Sequence, residues 1–223
     1  MLLRLGITNK FALLSASSYF CPHKMIIMES KDIEYLDRYE TALTDRLLKL
    51  CSSLGMLDGV LLASDDIDSK WKEFAPEYMA EAVPNLGSFP EAAIGWAGYI
   101  GMAVAKWWDM DWGRHHSEKY EALHGPRGFD DMDDHIMQDI LGYKPGSPEA
   151  GAITGLLLAC TQQAISGIRH ENIESQSVMA FHVFARTTRA MFRIGAAVQL
   201  KKDGYKFQKV RLDTVDRNGR PVS

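Results

Sequence analysis

The chain has 223 residues, with 25 Lys+Arg against 29 Asp+Glu, a formal net charge of −4. Apolar residues make up 46% and charged residues 24%. These are the proportions of a globular chain with a core, and they exclude collagenous, disulfide-dense and wholly disordered classes. The slight acidity also speaks against a general nucleic-acid coat.

Residues 1–27 carry Arg4, Lys10 and Lys24 and no acid. Behind that basic start, Phe11–Ala16 has the form of a short apolar signal region, which makes secretion one expectation. The cleavage context is poor, and Met28-Glu29-Ser30-Lys31 leads straight into a helical pattern. The favoured expectation is therefore a start at Met25 or Met28, with 1–27 disordered or outside the fold. Cys21, Cys51 and Cys160 are odd in number, scattered and without a C-x-x-C pair. That argues against a disulfide framework or zinc knuckle and points to a cytoplasmic chain. Cys51 and Cys160 fall on apolar helix faces and read as core thiols.

Over 32–54, Ile33, Leu36, Tyr39, Leu43, Leu47, Leu50, Cys51 and Leu54 form one stripe about 120° wide at 100° per residue. Gly55 ends that helix. Asp65, Asp66 and Asp68 offer N-caps for a helix through Trp71, Phe74, Tyr78 and Met79, with Pro76 near its start or kinking it. Pro84–Gly87 reads as a loop. Ser88 and Glu91 have capping-box spacing for a helix over 92–108. That helix has no charge on any face from Ala92 to Ala105, which predicts burial. The run spans about 21 Å, short of the roughly 30 Å of a bilayer, so a membrane role is disfavoured. Gly98, Gly101 and Ala105 share a smooth face that another helix can approach closely.

Ser117–Leu123 and Asp130–Leu141 read as short helices. Ser147-Pro148-Glu149 starts the next, with stripe Ala150, Ile153, Leu157, Cys160, Ala164 and Ile168. Glu174–Leu200 is the last long helix, and Tyr205–Val215 alternates loosely, as one strand would. The expected fold is an all-α, single-domain bundle of six to eight helices over 28–204, packed around the apolar helix 92–108. Residues 205–223 form an extension with room for a short strand.

Two zones could carry chemistry. The first, 109–139, holds nine acids, three bases and four of the seven histidines. His115, His116, Glu121, His124, Asp131 and His135 supply carboxylate and imidazole, the donor set for Zn, Fe or Mn. Glu121-x-x-His124 has di-iron spacing, but such bundles need two of these motifs. His170-Glu171-x-x-Glu174 is half of H-E-x-x-H. A capped amphipathic helix explains the same residues: Asp130 and Asp133 have capping spacing, and Asp131, Asp134, His135 and Gln138 share a polar face.

The second zone is the last helix. His182, Arg186, Arg189 and Arg193 lie within about 60° of one another, and Glu171 and Ser175 would extend the row if the helix reached them. Three arginines in line can hold phosphate or carboxylate. They can equally form a solvated face or pair with the acidic zone. Trp107, Trp108 and Trp112 crowd the end of the apolar helix, where a pocket mouth or interface is expected. From 182 to 223 the charge is +7 and from 28 to 108 it is −7. With no nucleic-acid motif, that acidic body makes nucleic acid an unfavoured partner.

No nucleophile elbow, phosphate loop or dinucleotide glycine pattern is present. The expectation is a non-enzymatic helical module, without a cofactor, that binds a protein partner or a small anion and is able to form homo-oligomers. Its contact surface would be His182, Arg186, Arg189, Arg193 and the tryptophans. The alternative is a metal-dependent hydrolase or oxidase using the 109–139 cluster.

Overall fold

A computed structural model describes residues 28–206. Among the described residues there are six α-helices and no strand: α1 (Ser30–Ser53), α2 (Asp65–Asn85), α3 (Pro90–His115), α4 (Met132–His135), α5 (Pro148–His170) and α6 (Val178–Lys202). The expected all-α bundle is what forms. The strand expected over 205–215 falls almost wholly outside the described residues, as does the segment 1–27.

Glycine decides how the two innermost helices meet. On α3, an ideal Cβ at Gly101 would lie 1.9 Å from the carbonyl oxygen of Phe192 on α6. On α6, one at Gly195 would lie 1.8 Å from the carbonyl oxygen of Gly98. The backbones touch there, so α6 packs on the smooth face of α3 at Gly101, while a Cβ at Gly98 would meet the Leu157 side chain of α5 at 2.8 Å. Residues 93–105 of α3 are buried, Trp96 alone being partly open. Tyr78 of α2 inserts its hydroxyl into the hydrogen-bond ladder of α3. It donates to the Ala93 carbonyl at 2.9 Å and accepts from the Ala97 amide at 3.1 Å.

The other helices pack around this pair. On α1, Leu36, Tyr39, Leu43, Leu47 and Cys51 are buried as the stripe predicts, while Ile33 and Leu54 at its ends are exposed. Trp71 of α2 stacks on Phe192 with ring centroids 4.8 Å apart. α5 starts as expected, with Ser147 accepting from the Ala150 amide at 3.2 Å and Pro148 at the first turn. Pro76 and Pro84 both lie inside α2.

Six local expectations are corrected. Pro84 and Asn85, expected in a loop, are the last two residues of α2. Ser64 holds the N-cap position of α2, and Asp65, Asp66 and Asp68 lie inside its first turn. Ser88 does not cap α3: Phe89 holds the N-cap position and Pro90 begins the helix. α3 runs on to His115, broken at Asp111 (φ −165°, ψ 86°). Residues 117–141 are tighter and less regular than two helices: 3₁₀ turns at Tyr120–Leu123 and Phe129–Asp131, one α-turn, then a π-turn over Ile136–Ile140. The last helix begins at Val178, capped by Ser177, so Glu171 and Ser175 are not part of it.

Candidate functional site

The arginine row points inward onto α1 and α2. Arg186 Nη1 donates to Glu40 Oε2 at 2.7 Å, and its Nη2 lies 2.9 Å from Asp37. Arg189 forks both Glu40 oxygens through Nε and Nη2. Arg193 forks Asp68 at 2.9 and 2.6 Å and lies 3.9 Å from Glu40. Glu40, only 5% exposed, is thus surrounded by three guanidinium groups. Three carboxylates answer three arginines, and the cluster is neutral. Arg193 is held above the ordinary arginine range by its hydrogen bond to Asp68, against the opposing effect of burial.

The flanking contacts belong to the same seam. Thr187 donates to the Val183 carbonyl, so the Tyr39 hydroxyl is the donor in the 2.7 Å bond between Tyr39 and Thr187. Burial pushes the Tyr39 phenol up to about 12. Tyr35 donates to Glu171 at 2.6 Å, and burial followed by that carboxylate raises its pKa. A hollow of about 290 Å³ opens beside the cluster, lined by Asp37, Glu40, Thr41, Thr44, Asp45, Arg189 and Arg193. Carboxylates outnumber guanidinium groups on its walls. His182 stands off the cluster, its ring edge-on to Phe181.

The tryptophans do not act together. Trp107 is buried and stacks on the His115 ring with centroids 5.9 Å apart. Trp108 Nε1 donates to Asp66 at 3.2 Å and its ring packs on Tyr205. Trp112 is half-buried beside His116. The hollow described above and a second one of about 510 Å³, lined by Asp45, Leu48, Lys49, Ser52 and Gly59, are both lined by other residues.

The metal candidates are dispersed. His115 Nδ1 lies 3.5 Å from Glu118. His116 Nδ1 contacts the Trp112 carbonyl at 3.1 Å. His124 Nε2 is 3.2 Å from Glu81, which also accepts from Tyr120 at 2.8 Å. Burial and the Glu81 carboxylate together raise the Tyr120 pKa. His135 lies between Asp139 (2.7 Å) and the Ala122 carbonyl (3.3 Å). Glu121 is exposed. Asp131 is buried, with both oxygens accepting from the Arg127 amide at 3.1 Å and the Arg127 side chain at 3.3 Å from one of them. It organises the turn 125–131 instead of lying on a polar helix face. Among the described residues, no three His, Cys, Asp or Glu side chains converge in a way that could hold a metal ion.

Sequence reasoning missed Glu40 and Glu81, the two carboxylates on which these clusters turn. Glu40 had a legible signal. It lies four residues after Leu36 and three before Leu43, inside the apolar stripe of α1, where an acid needs a buried cationic partner. Comparison of the chain with family models, curated proteins and solved structures gives no match.

The outer face of α5 is the other unusual surface. From Ala150 to Ile168 the helix has no charged residue. Nevertheless Gly151, Ala152, Thr154, Gly155, Leu158 and Gln162 are exposed, Leu158 at 46%. Among the described residues, α5 is also the one helix long and apolar enough to cross a membrane, with under half of that stretch buried.

Proposed function

We propose that this protein works by protein–protein association, as a helical module, and that its contact surface is the outer face of α5. Its first partner is the same face of a second copy. The observation that carries this reading is a half-exposed helix with no charge over 19 residues. A surface helix of a monomer ordinarily carries charged or strongly polar residues on its outer side.

The glycines of that face support it. An ideal Cβ at Gly151 or Gly155 meets nothing within 4 Å, whereas those at Gly98, Gly101 and Gly195 meet close neighbours. Glycine inside a helix costs about 1 kcal/mol relative to alanine. Among the described residues of one copy, no contact offsets that cost at 151 and 155. Close approach by another helix would, and the G-x-x-x-G spacing suits it.

The face is also self-complementary, as a two-fold interface requires. Gly151, Gly155, Leu158 and Gln162 fall on one line. Laid antiparallel against its copy, α5 sets Leu158 over Gly155 and Gln162 over Gly151. The arginine row supports the anion-binding alternative less well, because its guanidinium groups already hold carboxylates.

Sedimentation equilibrium over a concentration series tests the reading. The expected result is a reversible dimer for the native protein and a monomer for Leu158→Glu, with unchanged circular dichroism. A native protein that stays monomeric overturns the reading, and so does a Leu158→Glu variant that dimerises equally well. Association of the native protein with lipid vesicles in place of dimerisation would also overturn it, by assigning the face to a membrane.

A further inference from the structure

Cys51 and Cys160 are 109 residues apart in sequence and face each other across the α1–α5 contact, their sulfurs 3.7 Å apart. Both are fully buried. The two helices run antiparallel there: Leu43 and Arg46 lie against Gly167, and Tyr35 reaches Glu171. A disulfide needs its sulfurs about 2.05 Å apart. Bond formation must therefore bring the two sulfurs in from 3.7 Å to bonding distance.

We propose that Cys51 and Cys160 are a redox-active dithiol that closes to an intramolecular disulfide tying α1 to α5, with a small-molecule disulfide as oxidant. The Cys51 thiolate attacks one sulfur of the oxidant, whose S–S bond breaks and releases one thiolate, which takes up a proton. Cys160, giving its proton to solvent, then attacks the Cys51 sulfur of the mixed disulfide and expels the second thiol. Two protein thiols and one small disulfide become one protein disulfide and two small thiols.

Position selects Cys51 as the attacking sulfur. It lies in the last turn of α1, two residues before the helix ends at Ser53. Helix ends fray most readily. Beyond it Gly55 takes a left-handed conformation (φ +72°), and the hollow of about 510 Å³ lined by Leu48, Lys49, Ser52 and Gly59 lies at that end. Opening of the final turn brings the Cys51 thiol to solvent, whereas Cys160 sits in the middle of α5. The electrostatics agree: the hydrogen bond from Cys160 lowers the Cys51 pKa, while that neighbour and burial raise the pKa of Cys160.

The test uses the folded full-length chain, reduced and then exposed to oxidised glutathione, beside a Cys21→Ser form. The expected result is the loss of two titratable thiols, a monomer lighter by two hydrogens, a proteolytic peptide pair joined through Cys51 and Cys160, and a higher melting temperature. Cys160→Ala should accumulate glutathione on Cys51. A link through Cys21, a native protein that stops at a glutathione adduct, or thiols that oxidise only in denaturant would each overturn the proposal. In Cys160→Ala, an unmodified Cys51 would overturn the assigned order of attack.

Discussion

Glu40→Ala removes the carboxylate around which three arginines are arranged. Arg186 keeps Asp37 at 2.9 Å and Arg193 keeps its fork on Asp68. Arg189 loses both of its bonds. Breaking a buried ion pair from one side typically costs 3–5 kcal/mol. The Arg189 side chain is 35% exposed, so water recovers part of that and the expected loss is about 3 kcal/mol. For a chain of this length that lowers the melting temperature by about 6–12 °C. Urea denaturation of the purified variants measures it. Removing both partners, in Glu40→Met with Arg189→Met, leaves no uncompensated charge and should be less damaging than Glu40→Ala alone. A single-variant loss below about 1 kcal/mol would refute the view that Glu40 is an essential internal counter-ion. A double variant as unstable as the sum of the singles would do the same.

The cluster also recasts the anion site expected of the arginine row. Glu40 occupies the position that an external carboxylate or phosphate would take. Inorganic phosphate should therefore raise the melting temperature of Glu40→Ala more than that of the native protein, at ionic strength matched with chloride. Equal shifts would mean that the three guanidinium groups do not form an anion site even when Glu40 is gone.

Gly195→Ala would place a methyl group 1.8 Å from a backbone oxygen that no side-chain rotation can relieve, so a loss of at least about 3 kcal/mol or failure to fold is expected in thermal melts. Gly155→Ala meets nothing among the described residues and should stabilise the single copy by about 0.5–1 kcal/mol, while weakening self-association in the ultracentrifuge. Lys70 is buried, and its three protons go to Glu73 (2.9 Å) and the carbonyls of His116 (2.7 Å) and Glu118 (2.6 Å); Lys70→Met should cost about 2–3 kcal/mol in a urea titration. Burial raises the Asp133 pKa above its ordinary 3.8. Its contribution is therefore fully present below that value and lost as pH rises through the raised pKa. The stability of the native protein relative to Asp133→Asn should fall over that interval in melts taken at successive pH values, and a constant difference would count against it.

The long helices were legible because periodicity and chain punctuation agree on them. At 147–148, a capping serine and a proline at the first helical turn mark a start, and the apolar stripe of α5 follows in phase. The region 117–141 was not legible by the same logic. Its spacing of apolar and acidic residues satisfies a helical template, but Gly128 takes a left-handed conformation (φ +71°) and Asp131 binds the Arg127 amide behind it. That local competition for backbone groups breaks the chain into single turns. Of the candidate site, the alignment of Arg186, Arg189 and Arg193 was legible, and their partners were not. One helix gives the row, but only the packing of α1 against α6 decides whether the row meets solvent, an anion or Glu40. The two cysteines are the same case, each readable as a core residue and their pairing visible only in the fold.

α1 is attached differently from the rest of the bundle. α3 and α6 are locked by backbone contact at Gly98, Gly101 and Gly195, which has no chemical control. α1 also buries Leu36, Leu43 and Leu47 in the core, but beside that apolar stripe it is held through Tyr35–Glu171, Tyr39–Thr187, the arginines on Glu40 and the Cys51–Cys160 contact. These are interactions that charge, hydrogen bonding or oxidation can alter one at a time. α1 should therefore open as a unit before α3 and α6 do. Hydrogen exchange under native conditions reads this directly. Glu40→Ala should lower protection along α1 and leave the amides of 93–105 close to their native values, and oxidation of the cysteine pair should raise protection on α1 selectively. Equal losses on α1, α3 and α6 would show one cooperative unit, with no separate role for the polar seam.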